Sequence, residues 1–205
     1  MGKMKKKSLR NRNRHARDAA VLLTLLVTGV VAVSYASLRG SPGTSGLLGP
    51  GESAPKFTLE SVNGTSFDLG SYANKSDVLL FFNEGLSCSP CLQQMADINK
   101  DYAAFRQMGL TVVSITSDGL SGLGTWARNT GTNTMMVLSD STLQVGSEYD
   151  VLGSDVGSMH PGMAPGHTFI LVGKDGKVLW REDYGTSTMY VPMSQLIASV
   201  QAAVG

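Results

Sequence analysis

The sequence predicts an α/β domain built on a central mixed sheet with helices on its flanks. Two runs in the middle of the chain are typical of buried strands, an apolar one at 78–82 and a β-branched one at 110–115. Between them, apolar residues spaced three and four apart, from Leu92 to Phe105, predict one helix that ends at Gly109. A strand, a helix and a strand in this order form a βαβ unit. Since 205 residues, 42% of them hydrophobic, can bury one core and no repeat is visible, we expect one globular domain.

The remaining elements follow similar patterns. Asn63-Gly64, between two short strand patterns, predicts an N-terminal β-hairpin that extends the sheet. The turn signal at 174–177 predicts a second hairpin, and Pro192 begins a closing amphipathic helix. The predicted strands lie at 57–59, 66–69, 135–138, 168–172 and 178–180, and the predicted helices at 120–126, 143–149 and 193–200.

The N-terminal part of the chain carries a targeting pattern. Residues 1–18 hold eight Lys and Arg but one acid, and residues 19–38 hold no charged side chain. These 20 residues would span about 30 Å as a helix, the hydrocarbon thickness of a bilayer, so they are predicted to form a transmembrane anchor. The positive-inside rule keeps the basic tail in the cytoplasm and places the rest of the chain outside it. The sequence therefore predicts a single-pass protein of the cell membrane.

The alternative for this segment is a cleaved signal peptide, because Ser34-Tyr35-Ala36 resembles a small-residue cleavage site. Either interpretation exports the domain. Residues 39–55 are rich in Gly, Ser and Pro and are expected to form a flexible linker, which leaves 56–205 as the folded domain. The chain after residue 18 holds nine basic and fifteen acidic residues, a formal charge of −6, so nucleic acid is not an expected partner.

Both cysteines of the chain lie in one motif, Cys88-Ser89-Pro90-Cys91, at the predicted start of the helix. Unpaired N–H groups and the helix dipole favour an anion at that position, and a thiolate is such an anion. In this setting thiol pKa values fall from ~8.5 to ~3.5–7.5, and the thiolate is the form that attacks a disulfide. We therefore assign Cys88 as the nucleophile and Cys91 as the resolving thiol of a redox-active disulfide.

Two other interpretations of the motif are weaker. A structural disulfide across so short a loop would remove only about 2 kcal/mol of unfolded-chain entropy. A structural zinc site needs four ligands, and only three histidines, spread along the chain, accompany the two thiols. We therefore expect neither a metal nor a cofactor.

Several segments together resemble the thioredoxin superfamily, and within it the redoxin branch that includes the alkyl hydroperoxide reductase and thiol-specific antioxidant (AhpC/TSA) family. The resemblance spans most of 51–204 and rests on the apolar strand before the cysteines and on the segments 51–59, 63–69, 168–172 and 174–178. It implies a thioredoxin-like fold and exchange with thiol or disulfide groups of protein clients. Membrane-tethered proteins of similar layout often act as reductants, which implies a membrane partner that supplies electrons. The sequence does not set the direction of exchange, because direction depends on the reduction potential.

The segment 153–166 is rich in Gly, Met and Pro and is predicted to be a loop. In the thioredoxin superfamily a cis-proline precedes the following strand and packs against the cysteines, which makes Pro165 the candidate for a cis-proline and substrate loop. Gly166 occupies the slot that the family's spacing expects for this proline. The apolar, glycine-rich part at 159–165 is expected to contact the client.

Three titratable residues near the motif are candidates for a chemical role. Glu84 precedes the motif by four residues and could relay the proton that leaves Cys91, and His160 or His167 could contact the thiolate as a proton donor or charge partner. We select Glu84 and His167 as the candidate proton relay. The alternative for each of the three is a solvated or hydrogen-bonded loop side chain.

Two other activities remain alternatives. A thiol peroxidase would resemble the peroxiredoxins, whose Pro-x-x-x-Thr-x-x-Cys motif, superposed on Cys91, places Glu84 in the proline slot and Cys88 in the threonine slot. Gly166 stands where their activating arginine is expected. The other alternative is a copper-binding assembly factor similar to the Sco-type chaperones, with the two thiolates and an imidazole from His160 or His167. Those chaperones have three residues between their cysteines, whereas this chain has two.

Overall fold

The computed structural model describes residues 47–185 and 189–205. The predicted basic tail, the predicted transmembrane anchor and the first part of the predicted linker lie outside these ranges. Within them, no helix has the length and apolar character needed to cross a bilayer.

A seven-stranded mixed sheet forms the centre of the domain. Its strands, in chain order, are β1 Thr58–Ser61, β2 Ser66–Asp68, β3 Asp77–Phe82, β4 Leu110–Thr116, β5 Met136–Ser139, β6 His167–Val172 and β7 Val178–Tyr184. In space the order is β2-β1-β5-β4-β3-β6-β7. The β3–β4 and β4–β5 pairs are parallel, and the other four pairs are antiparallel. Both predicted hairpins and the predicted βαβ unit are confirmed.

In the described part of the chain, five α-helices flank the sheet: α1 Ser89–Lys100, α2 Tyr102–Gln107, α3 Leu120–Thr130, α4 Gln144–Glu148 and α5 Met193–Val204. Short 3₁₀ turns cover Leu69–Tyr72 and Gly85–Ser87. The single helix predicted from Leu92 to Phe105 is instead two helices, because the backbone leaves helical geometry at Asp101 (φ −94°, ψ 16°). After this break Tyr102 is buried, and its hydroxyl accepts the N–H of Val112 at 3.3 Å.

Both faces of the sheet are covered by apolar side chains. On one face, Phe81 and Phe169 lie in a cluster with residues of α1, α3 and α5. On the other face, Phe57 and Phe67 of the N-terminal hairpin region pack with Tyr149, which follows α4. Burial of both faces explains why 78–82 reads as a continuous apolar run rather than an alternating one.

Residues before the predicted domain boundary at 56 already form backbone hydrogen bonds with the sheet. The N–H of Gly51 donates to Val178 O at 2.8 Å, that of Val178 to Glu52 O at 2.9 Å, and that of Ala54 to Gly176 O at 2.9 Å. Composition predicted a linker here, but these bonds use only the backbone and do not require apolar side chains. The part of the predicted linker from 51 to 54 therefore belongs to the domain.

The sheet topology places the carboxyl ends of β3 and β4 beside the start of β6. The carboxyl ends of the parallel strands β3 and β4 meet at the same edge of the sheet, and the cysteine motif follows β3. Strand β6 runs antiparallel to β3 and pairs Thr168 with Phe82, so β6 begins at that edge. His167, the first residue of β6, is therefore placed next to the motif.

Candidate functional site

Cys88 and Cys91 form a disulfide at the N-terminus of α1, with their Cα atoms 5.2 Å apart. Cys88 is the N-cap residue, and its Sγ accepts the N–H of Cys91 at 3.2 Å. Pro90 lies in the first helical turn, where a missing N–H costs little. The predicted placement of the motif is confirmed, whereas the separate roles of the two sulfurs stay predictions.

The disulfide is covered. Cys88 is 1% exposed and Cys91 is fully buried, and both pack with Met189, which lies between β7 and α5. A client sulfur therefore reaches Cys88 only after the covering side chains move. The sequence carried no signal for Met189, because the contact joins segments about a hundred residues apart.

A buried polar network supports the backbone just before the motif. The Asn83 side chain accepts the N–H of Gly85 at 2.9 Å and donates to Ser114 Oγ at 2.8 Å. The N–H of Leu86 donates to Asp118 Oδ2 at 2.7 Å. Gly85 has φ +60°, and a Cβ on it would lie 1.8 Å from Asp118 Oδ2, so the turn requires glycine. These residues are absent from the predicted site, although polar side chains after adjacent parallel strands are a signal that could have indicated them.

The Glu84 carboxylate binds the loop at 158–160. The N–H of Met159 donates to Oε1, the Ser158 hydroxyl lies 3.5 Å from the same oxygen, and His160 Nδ1 lies 3.3 Å from Oε2. Glu84 is buried rather than a solvated loop acid, while the side chain of His160 is 53% exposed. The hydrogen bonds of this carboxylate within the described residues all reach the loop and none reaches a sulfur, so its relay role stays a prediction.

His167 is the titratable residue that contacts the disulfide. Its Nδ1 lies 3.7 Å from Cys91 Sγ. The imidazole is fully buried among the rings of Phe81, Phe169 and Tyr184, whose centroids lie 4.7, 5.6 and 6.1 Å away. Burial lowers the pKa of His167 to about 3, so the ring is neutral near pH 7. Its Nε2 has no hydrogen-bond partner among the described residues.

The structure corrects the proposed cis-proline. No described peptide bond is cis, so the bond before Pro165 is trans. The adjacent slot cannot hold proline either, because a Cβ on Gly166 would lie 2.2 Å from Val156 O. In addition, the N–H of Gly166 donates to Val151 O at 2.7 Å, a bond that proline cannot make. Next to the site, the loop therefore has a glycine, Gly166, that is held close to the backbone of Val156.

The two histidines considered for copper binding have different surroundings. His160 contacts Glu84, and His167 contacts Cys91. In the part of the chain that the structure describes, no three or more His, Cys, Asp or Glu side chains are grouped as they would be around a metal ion.

Comparison with known proteins agrees with this fold and motif. The family model described as "AhpC/TSA family" matches residues 50–181. A Mycobacterium tuberculosis H37Rv protein named as a peroxiredoxin, Rv2521, is 31% identical over 135 residues, which cover 64% of this chain and 83% of that protein. Thiol-disulfide oxidoreductase ResA of Bacillus cereus is 23% identical over 162 residues, covering 78% of this chain and 83% of ResA.

Solved structures show the same fold at low identity. The M. tuberculosis peroxidoxin BcpB superposes with a TM-score of 0.63 at 19% identity, covering 76% of this chain and 97% of BcpB. Enterococcus faecalis AhpC superposes with a TM-score of 0.65 at 16% identity, covering 77% of this chain and 93% of AhpC. With its cysteine pair at a helix N-terminus on a thioredoxin-like sheet, the chain belongs to the AhpC/TSA family.

Proposed function

We propose that this protein is a thiol-disulfide oxidoreductase that exchanges its Cys88–Cys91 disulfide or dithiol with protein clients outside the cytoplasm. The observation that carries the proposal is Cys88 Sγ at the N-cap of α1, where it accepts the N–H of Cys91. Such a position stabilises a thiolate, the reactive form in disulfide exchange. ResA of Bacillus cereus, named a thiol-disulfide oxidoreductase, supports the proposal.

The reaction divides between the two sulfurs. The Cys88 thiolate attacks a client disulfide, forms a mixed disulfide and releases one client thiolate. Cys91 then attacks Cys88 Sγ, which breaks the mixed disulfide and releases the second client thiolate. The client gains two electrons, and the protein is left with its internal disulfide. The opposite direction uses the same steps in reverse.

A thiol peroxidase is the second candidate, because Rv2521 is named as a peroxiredoxin. Efficient peroxide cleavage needs donors that polarise the O–O bond. The slot expected for the activating arginine holds Gly166, where a Cβ would meet Val156 O at 2.2 Å. A side chain cannot enter the site from that position, which favours disulfide exchange.

A reduction potential tests the proposed exchange. The purified protein is equilibrated in thiol/disulfide buffers, with Cys88→Ser and Cys91→Ser as controls. We expect one reversible two-electron couple that both substitutions abolish. A value near ~−270 mV would assign the protein as a reductant and one near ~−120 mV as an oxidant. Absence of a couple, together with rapid turnover of hydrogen peroxide, would replace the proposal with the peroxidase.

The proposed location outside the cytoplasm rests on the basic segment 1–18 and the uncharged segment 19–38. A membrane partner that supplies electrons would then keep the protein reduced. An enzyme reporter that is active only outside the cytoplasm, fused after Gly205, tests the location. We expect activity in whole cells. A second reporter, active only in the cytoplasm, is fused at the same position and expressed at the same level. Activity of this second reporter, without activity of the first, would contradict the location but not the exchange chemistry.

A further inference from the structure

The resolving step needs a route for one proton. Cys91 must lose its thiol proton as its sulfur bonds to Cys88 Sγ and the client sulfur leaves. Cys91 is fully buried, so water does not reach its sulfur directly in the folded state. A group inside the protein must therefore take the proton.

His167 is placed to receive this proton. Its Nδ1 lies 3.7 Å from Cys91 Sγ, within the range of a hydrogen bond to sulfur. Glu84 is the other candidate near the motif, but its carboxylate is engaged with the loop at 158–160. A buried imidazole between aromatic rings is a poor place for a positive charge, so His167 must pass a proton on as it receives one.

Tyr184 lies where His167 would pass the proton. The two residues are directly opposite each other in the antiparallel β6–β7 pair, and their rings are 6.1 Å apart at 89°. His167 Nε2 and Tyr184 Oη are both buried, and neither has an ordinary hydrogen bond to a described residue. Two orphaned polar atoms on facing residues are a typical setting for one bridging water.

A route from Tyr184 towards solvent also exists. Glu182 lies two residues earlier in β7, on the same face of the sheet, and is partly exposed. Its carboxylate is near enough to Tyr184 to act on the hydroxyl, although no hydrogen bond of ordinary geometry joins them. Burial, and then Glu182, raise the pKa of Tyr184 to about 12. The phenol therefore keeps its proton near pH 7 and can accept one proton while donating another.

We propose that His167 and Tyr184 form a proton path that carries the thiol proton of Cys91 towards Glu182 during resolution. The thiol proton moves to Nδ1, and the proton on Nε2 leaves to Tyr184 through one water molecule that the path requires between them. The phenol gives up its own proton towards Glu182 as it accepts this one. The imidazole changes from its Nε2–H to its Nδ1–H tautomer and stays neutral. The client thiolate takes up a proton from solvent. His167 touches the reacting sulfur, and Tyr184 acts through His167.

This inference rests on the proposed exchange, and one experiment separates the two. The reduced protein is mixed rapidly with Ellman's reagent in excess, and release of the coloured thiolate is followed. The first release reports attack by Cys88, and the second reports resolution by Cys91. A wild-type protein without two phases would count against the exchange chemistry itself, whatever Tyr184 does.

Tyr184→Phe is the decisive variant. It removes the hydroxyl and keeps the ring, so we expect the first phase to change by less than about twofold and the second to slow by at least about tenfold at pH 7. The second phase of the variant is expected to gain rate as pH rises, because a larger fraction of Cys91 is then already a thiolate and has no proton to transfer. An unchanged second phase in Tyr184→Phe would overturn the proposal. His167→Phe is expected to slow that phase at least as much.

Tyr102→Phe is the matched control. It removes another hydroxyl on the same face of the sheet, one that accepts the N–H of Val112 and does not contact the cysteines. We expect both phases of this variant to match wild type. Equal slowing in Tyr102→Phe and Tyr184→Phe would assign the effect to loss of structure and overturn the path. Nitrogen NMR of His167 gives a second readout: Nε2–H in the dithiol and Nδ1–H in the disulfide are expected, and one unchanged tautomer would contradict the path.

Discussion

Glu84 and His167 are both buried polar side chains beside the disulfide, but their polar atoms are satisfied to different degrees. Both carboxylate oxygens of Glu84 have partners in the loop at 158–160. His167 has one nitrogen facing Cys91 Sγ and one without a partner in the described part of the chain. A fully bonded group holds a structure in place, whereas a half-bonded one beside a reactive atom is free to exchange a proton. The comparison therefore supports the proposed proton path through His167 and describes Glu84 as a residue that holds the loop in place.

Removal of the Glu84 carboxylate is expected to have the largest effect on stability. Glu84→Ala leaves the N–H of Met159 without its acceptor, removes the partner of His160 Nδ1 and opens a cavity. We expect a loss of about 2–4 kcal/mol in the free energy of unfolding, measured by denaturant titration. Glu60→Ala, at an exposed position of β1, is the control and is expected to cost less than about 0.5 kcal/mol.

A second substitution of Glu84 tests whether this residue only holds the loop or also relays the proton. Glu84→Gln keeps the shape of the side chain and an acceptor oxygen but has no ionisable group. We expect the second phase with Ellman's reagent to stay at the wild-type rate. A marked slowing of that phase in a stably folded Glu84→Gln protein would return the relay to this carboxylate and reverse the comparison.

The pH dependence of stability tests the other member of the comparison, the neutral imidazole of His167. The unfolded chain binds a proton on His167 below pH ~6.5, whereas the folded state does so only near pH 3. This histidine therefore makes the wild type lose stability as pH falls from ~6.5 towards ~3, by up to about 1.4 kcal/mol per pH unit. His167→Phe removes this loss and fits the aromatic surroundings, so its stability is expected to lie within about 1 kcal/mol of wild type near pH 7.

Unfolding of both proteins by denaturant at several pH values between ~4 and ~7 measures this difference. We expect the variant to become the more stable protein as pH falls. Parallel curves across the whole range would mean that His167 is protonated as easily in the folded state as in the unfolded one, which is incompatible with a neutral imidazole.

Met189 tests whether burial of the disulfide, rather than the polar groups, limits its reaction. Met189→Ala is expected to speed reduction by dithiothreitol several-fold, because the covering side chain is lost, at a cost of about 1–2 kcal/mol in stability. Met163→Ala is the control, since Met163 is 72% exposed and lies outside the cluster of Met189 with the cysteines. Equal rates in Met189→Ala and wild type would show that the sulfurs are reached by another route.

His160 is expected to give the smallest effect. It contacts Glu84 at 3.3 Å, but more than half of its side chain is exposed. His160→Gln keeps a donor for the carboxylate and is expected to change stability by less than about 1 kcal/mol. A larger loss by denaturant titration would mean that the carboxylate depends on the contact of its Oε2 with His160 as much as on the N–H of Met159.

The sequence could predict the elements with local periodicity. The strand at 78–82, the helix after the cysteines and the Asn63-Gly64 hairpin each have patterns that fit within about fifteen residues, and all three were found. The cysteine motif could be placed at a helix N-terminus for the same reason. The break at Asp101 was missed, because the apolar spacing continues across it and only the backbone changes direction.

The surroundings of the two sulfurs could be predicted only in part. His167 was a candidate, but its contact with Cys91 depends on β6 pairing with β3 in a particular register. Tyr184 lies opposite His167 only because of the β6–β7 register, which sequence patterns do not specify over this distance. The cis-proline at Pro165 was predicted by analogy and was wrong. The loop next to the site packs Gly166 close to Val156 O, and sequence patterns do not specify such packing.

The backbone pairing of residues 51–54 has a consequence for how the protein is prepared. Strand β7, seven residues long, is at one edge of the sheet, and unpaired N–H and C=O groups on an edge invite pairing with another copy. Gly51 and Glu52 occupy the backbone groups of Val178 at the start of this edge. A chain shortened to the predicted boundary at 56 would uncover them, and we expect it to self-associate. A chain that begins at or before residue 47 keeps the start of this edge paired and is expected to stay dispersed at the same concentration.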